Sequence, residues 1–135
     1  DLRMSRGLGD VYKRQADACI LARDFALACA NVQIATDDGS LGFHGLVTDL
    51  LRERIAVKEK PCTGILACGP TPMLKAIAAL AQEHQIPCQV SLEERMGCGV
   101  GACLVCACKT KEVDGEHYRH VCKDGPVFDA REVVW

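Results

Sequence analysis

The sequence predicts an α/β protein: a parallel-sheet domain over residues 16–92, followed by a small, mainly β module over 93–135. Three observations carry this. Helical and strand-like stretches alternate with short loops as far as Leu92, an α-β-α-β-α-β order that calls for a parallel sheet with right-handed crossovers. At Gly97 the composition turns abruptly to glycine and cysteine. Beyond it, two short strand-like runs flank Asp114-Gly115, a hairpin signal.

The elements follow in order. Residues 1–15 show neither helical nor alternating periodicity and precede a composition shift at Ala16, so they are expected to be a non-native or disordered leader. Ala16 to Ala30 is alanine-rich without a breaker and reads as a helix. Asn31 to Thr36 alternates and runs into Asp37-Asp38-Gly39-Ser40, a strand entering a turn. Leu46, Val47, Leu50, Leu51 and Ile55 then mark one face of a second helix. Thr63 to Cys68 is a short apolar run of the kind buried on both faces of a sheet. It leads into Gly69-Pro70-Thr71-Pro72, where Thr71 can cap a helix and Pro72 can occupy its first position; that helix continues to about His84. Pro87 to Leu92 is a further strand, and Val127 to Trp135 is expected to close the chain as a short helix or extended tail.

Bulk properties narrow the function. A net charge of −2 gives no electrostatic reason to bind nucleic acid or a membrane surface, and 4% aromatic residues leave little for base stacking. No apolar run reaches the roughly eighteen residues that a membrane-spanning helix needs. Ten cysteines in 135 residues suit either a disulfide framework or thiolate ligands. Regular α/β patterning without an apolar leader argues for thiolates in a reducing compartment, and the expected location is the cytoplasm.

The chemistry concentrates in Met96-Gly-Cys-Gly-Val-Gly-Ala-Cys-Leu-Val-Cys106. Cys98, Cys103 and Cys106 stand in C-x4-C-x2-C spacing, the plant-type pattern for a [2Fe–2S] cluster, and Cys122 supplies a fourth thiol. Gly97, Gly99 and Gly101 can take positive φ and let backbone N–H groups approach a negatively charged centre. The competing reading is a zinc site, but zinc ribbons bring two close C-x2-C pairs and only Cys103/Cys106 has that spacing. Cys108 is an alternative ligand to Cys106 or Cys122. Cys19, Cys29, Cys62 and Cys88 read as small apolar core residues. Cys68 ends a strand just before a helix, where α/β sheets bind ligands, so a ligand-facing role stands beside plain packing. Asp37 and Asp38 can accept hydrogen bonds from ribose hydroxyls or simply cap a turn, and the histidines show no metal-ligand spacing.

Cys68-Gly-Pro-Thr-Pro-Met-Leu74, Glu93-Glu-Arg-Met-Gly-Cys-Gly-Val-Gly-Ala-Cys-Leu-Val-Cys-Ala-Cys-Lys109 and Val121-Cys-Lys-Asp-Gly-Pro-Val-Phe-Asp129 together resemble one family. It is that of the electron-transfer subunits of NAD-dependent (type B) dihydroorotate dehydrogenase. Ala35 to Gly42 and Gly45 to Leu51 are similar to the same family. The resemblance implies a ferredoxin-reductase-like architecture: a β-barrel binding FAD, an α/β domain binding NAD and a C-terminal [2Fe–2S] module. It implies Cys98, Cys103, Cys106 and Cys122 as cluster ligands, Cys68, Gly69 and Pro70 at the nicotinamide, and Asp37 and Asp38 at the cofactor ribose. It also implies a partner, an FMN-containing catalytic subunit in a heterotetramer, with electrons passing from FMN through the cluster and FAD to NAD+.

The departure lies at the front. Neither a barrel sequence nor a glycine-rich first β–α loop is visible, so the expectation is a truncated NAD-binding domain (16–92) plus the cluster module (93–135), inactive as an enzyme alone. Two rivals remain: a related flavin subunit of sulfide dehydrogenase or NADH-dependent ferredoxin–NADP reductase, and a four-cysteine zinc module.

Overall fold

The structure is a computed structural model that describes residues 8–13, 22–59 and 61–135. The chain divides into two compact units, Asp1–Glu59 and Lys60–Trp135.

In the first unit, β1 (Leu8–Lys13) lies parallel to β2 (Asn31–Thr36) over the full length of both, from Leu8 opposite Asn31 to Lys13 opposite Thr36. This corrects the expectation that residues 1–15 stand outside the fold. The shift at Ala16 marks a change in composition, whereas pairing needs only a free strand edge, and β2 offers one. The helix expected over 16–30 is described as α1 (Ala22–Ala28), and the rest of its front, with Cys19, lies outside the described residues.

After β2 the chain turns sharply into β3 (Phe43–His44), which also pairs parallel to β2. Gly42 makes this possible. At φ +72° a Cβ there would lie 2.1 Å from the Ile34 carbonyl oxygen, so only glycine passes so close to the strand. Thr36, fully buried, locks the turn: its hydroxyl donates to the Leu41 carbonyl (2.9 Å) and accepts from the Leu41 N–H (3.2 Å). Helix α2 (Val47–Ala56) follows, with Asp49 accepting from the Leu46 N–H at 3.4 Å and Thr48, Leu50 and Leu51 buried.

In the second unit, β4 (Ile65–Cys68) and β5 (Cys88–Ser91) are parallel, joined by α3 (Thr71–Glu83). Leu74, Ile77, Ala78, Leu80 and Ala81 form the buried stripe of α3. The cap of α3 differs from expectation: Pro70, extended at φ −60° and ψ 144°, precedes the first turn, so Thr71 and Pro72 are both already helical. Burial of β4 on both faces is also overturned, because Ile65 is buried while Leu66, on the other face, is 82% exposed.

The segment from 93 onward is built into this second unit. Strands β6 (Ala107–Glu112) and β7 (Gly115–His120) form the expected hairpin, Glu112 opposite Gly115, with Val113 and Asp114 in its turn. A single helical turn, α4 (Val121–Asp124), then leads to β8 (Val127–Asp129), which pairs antiparallel with β5. The closing segment is thus a strand where a helix or tail was expected. The cause is an in/out alternation in which Phe128 and Ala130 are buried while Val127 is exposed. Beyond β8 the chain continues along β6, Lys111 N–H donating to the Glu132 carbonyl (2.6 Å) and Val134 N–H to the Lys109 carbonyl (3.0 Å).

Candidate iron–sulfur site

The glycine–cysteine loop leaves β5 and ends at the hairpin. Its glycines do different work. Gly99 and Gly101 take φ of +70° and +76°, which bend the loop around Cys98. Gly97 has no positive φ but needs empty space, since a Cβ would lie 3.0 Å from the Cys103 sulfur and 3.2 Å from Val105. The result aims backbone N–H groups at sulfur: Val100 (3.5 Å), Ala102 (3.2 Å) and Cys103 (3.4 Å) all donate to Cys98 Sγ. No side-chain pattern marks Val100 and Ala102 as contributors, because only their backbone acts; the flanking glycines are the one signal of them in the sequence.

Those donors stabilise a thiolate. The Cys98 thiol is pulled down to about 6, first by the Val100 N–H, then by the Cys103 N–H and side chain. Cys122 moves the other way, raised first by its hydrogen bond to Cys106 and then by desolvation, with the nearby Cys98 contributing. The thiols therefore act on each other in two pairs, Cys98 with Cys103 and Cys106 with Cys122, and the pairs sense each other through Cys98 and Cys122. The second pair is set by the hairpin. Ala107 faces His120, the Val121 N–H donates to the Cys106 carbonyl (3.1 Å), and α4 places Cys122 one residue further on. Cys106 is 1% exposed, whereas Cys98 is open to solvent.

In the protein free of metal, these environments predict an order of alkylation. At pH 7 about nine-tenths of Cys98 is thiolate given a value near 6, so iodoacetamide should label it ahead of Cys122, Cys108 and Cys88. Its rate should fall as pH drops through about 6, because protonation removes the nucleophile; peptide mapping after a timed pulse reads both.

The four thiols fit a two-iron centre in donor type and in pairing. A tetrahedral zinc cage instead gathers its sulfurs about one point, all within roughly 4 Å of each other. Among the described residues, the group of three potential ligand atoms within 4.8 Å of one another is Glu112, Asp114 and His117, which contains no cysteine. Those three side chains are already engaged along the hairpin: Glu112 pairs with Arg119, and Asp114 with His117 Nε2 at 2.9 Å. Cys108 has its sulfur on the Arg119 carbonyl (3.5 Å), and its thiol is raised first by burial, with Glu94 and Cys106 adding to the rise. Of the cysteines read as core, Cys88 is buried and Cys29 and Cys62 are half-buried.

Cys68, Gly69 and Pro70 are consecutive at the junction of β4 and α3. Cys68 is exposed, and Gly69, at φ +154°, would bring a Cβ to 2.4 Å from Met73 Cε. Asp37 and Asp38 lie in the other compact unit, exposed in the turn after β2. The Asp38 carboxylate accepts from the Ser40 hydroxyl (2.6 Å) and N–H (3.0 Å), which hold it below the usual carboxylate range.

Comparison with known proteins gives the following likenesses. Residues 93–134 match the family model of the iron–sulfur cluster binding domain of dihydroorotate dehydrogenase B. Among similar proteins are electron transfer subunits of dihydroorotate dehydrogenase B (NAD(+)) from three organisms. That of Caldanaerobacter subterraneus is 47% identical over 77% of this chain and 40% of its own length. That of Shouchella clausii is 48% identical over 77% of the chain and 38% of its length. That of Bacillus caldolyticus is 44% identical over 89% of the chain and 44% of its length. The chain thus spans about 40% of the length of these relatives. A solved structure described as the NADH-dependent reduced ferredoxin–NADP oxidoreductase, in a study of flavin-based electron bifurcation, superposes with a TM-score of 0.79. It is 29% identical and matches 95% of this chain and 44% of that one. Residues 93–134 thus belong with the iron–sulfur cluster binding domains of dihydroorotate dehydrogenase B, and the chain is similar through most of its length to the electron transfer subunits of that enzyme.

Proposed function

We propose that this chain supplies the [2Fe–2S] module and part of the NAD-binding domain of a subunit that carries electrons from an FMN-containing dihydroorotate dehydrogenase to NAD+. The observation that supports this most is the pairing of Cys98 with Cys103 and of Cys106 with Cys122 on a loop whose N–H groups converge on sulfur. A [2Fe–2S] centre exchanges electrons singly, which suits it to join flavins whose reaction with nicotinamide moves two. The chain's own part is to hold the four sulfurs as thiolates, to aim backbone dipoles at them, and to keep Cys106 away from water while Cys98 faces it.

On this reading, residues 16–92 are part of the NAD-binding domain and 93–135 the cluster module. Cys68, Gly69 and Pro70 meet the nicotinamide, and Asp37 and Asp38 the ribose. FAD belongs to the longer subunit, the FMN-containing partner completes a heterotetramer in the cytoplasm, and this length of chain alone does not turn over substrate. Among the described residues, no helix is long and apolar enough to cross a membrane.

Anaerobic preparation with iron and sulfide should give about two irons and two sulfides per chain with a [2Fe–2S] EPR signal on reduction. One zinc per chain without sulfide would sink the reading. The likeness to the NADH-dependent reduced ferredoxin–NADP oxidoreductase favours one alternative, a subunit of that kind of enzyme. Copurification with an FMN protein that oxidises dihydroorotate supports the first reading; copurification with a ferredoxin-reducing partner supports the second.

A further inference from the structure

Gly101 is where the cysteine loop touches the turn that carries Cys122. Its backbone N–H favours the thiolate of Cys122. A Cβ at Gly101 would lie 2.8 Å from Lys123 Cδ and 3.3 Å from Lys123 Cβ, so the aliphatic stem of Lys123 rests directly on the glycine. Lys123 thereby spans both halves of the site: it follows Cys122 in the chain and covers the loop between Cys98 and Cys103.

Lys109 pairs with Glu116, Arg119 with Glu112, and Arg131 with Asp129. Lys123 is exposed and, among the described residues, no carboxylate pairs with it. Four thiolates and their inorganic partners carry net negative charge, and reduction adds one more electron. A cation near such a centre favours the more negative state and so raises the potential.

We infer that Lys123 is a positioning residue that sets the reduction potential of the centre held by Cys98, Cys103, Cys106 and Cys122, its stem roofing Gly101 and its ammonium offsetting the charge gathered there. The inference rests on the reading that these thiols hold a [2Fe–2S] cluster.

The test is an EPR-monitored redox titration of the cluster-loaded protein and of Lys123→Arg, Lys123→Gln and Lys123→Glu, at low and high salt, with iron and sulfide measured for each. Lys123→Arg should match the parent, Lys123→Gln should titrate at lower potential and Lys123→Glu lower still, with the spread narrowing in high salt as the exposed charge is screened. Equal potentials across the series, with iron and sulfide intact, overturn the role of Lys123 and leave the cluster reading standing. A parent protein without sulfide overturns both. Should the neutral or acidic variants lose iron, the parent decides: its potential should fall as salt rises, and a potential indifferent to salt overturns the inference.

Discussion

Replacing Cys98 by alanine is expected to lower bound iron from about two per chain to less than about a tenth of that, with the [2Fe–2S] absorption and EPR signal lost and the fold retained. The thiolate is the ligand, and Cys98 is the sulfur that three backbone N–H groups prepare for the role. Because Cys98 is exposed and its side chain packs no core, the unfolding midpoint of the metal-free protein should move little, within about 0.5 kcal/mol. Cys108→Ala is the matched control. Its sulfur meets the Arg119 carbonyl and belongs to neither pair, so iron and sulfide should remain at the parent level. Equal iron loss in both variants would remove the assignment of the two pairs.

Phe128→Ala should produce the largest loss of stability coupled to the site, about 3–5 kcal/mol in urea unfolding. Phe128 is 3% exposed, faces fully buried Val90 across the β5–β8 pair, and lays its ring against Gly125, where a Cβ would come within 2.4 Å of it. Losing that ring leaves a cavity under the strand that ties residues 93–135 to β5. Against a typical domain stability of roughly 5–15 kcal/mol, this is enough to loosen the segment on which Cys122 sits. The loaded protein should therefore surrender iron to a chelator faster than the parent. Val127→Ala, one residue away but 52% exposed, should change stability by no more than about 0.5 kcal/mol and leave chelator kinetics alone.

Much of this was legible before any fold was known. C-x4-C-x2-C spacing among glycines is local, and so is the chemistry it implies: small residues permit tight turns and expose backbone donors wherever the loop is placed. The β4–turn–α3 step and the hairpin at Asp114-Gly115 were legible for the same reason, being specified by neighbours in sequence. What escaped was long-range. β1 depends on the edge of β2, some twenty residues on, and nothing within Leu8–Lys13 announces that edge. β8 could have been found, because Val127 to Ala130 alternates out and in, but three paired residues are too few to separate a strand from a tail. The exposure of Leu66 was hidden because an apolar run does not say how many of its faces are covered.

By itself, then, the sequence determined an α/β chain that carries three thiols with cluster spacing on a loop able to aim N–H groups at sulfur, and a fourth thiol beyond a hairpin. Only the tertiary structure decided how those thiols pair, that the Cys122 turn is pinned through β8 to β5, and that Lys123 rests on Gly101. The physical reason is distance along the chain. Spacing specifies contacts closed by a few residues, whereas Cys106 meets Cys122 only after a hairpin has formed and the closing strand has found its partner.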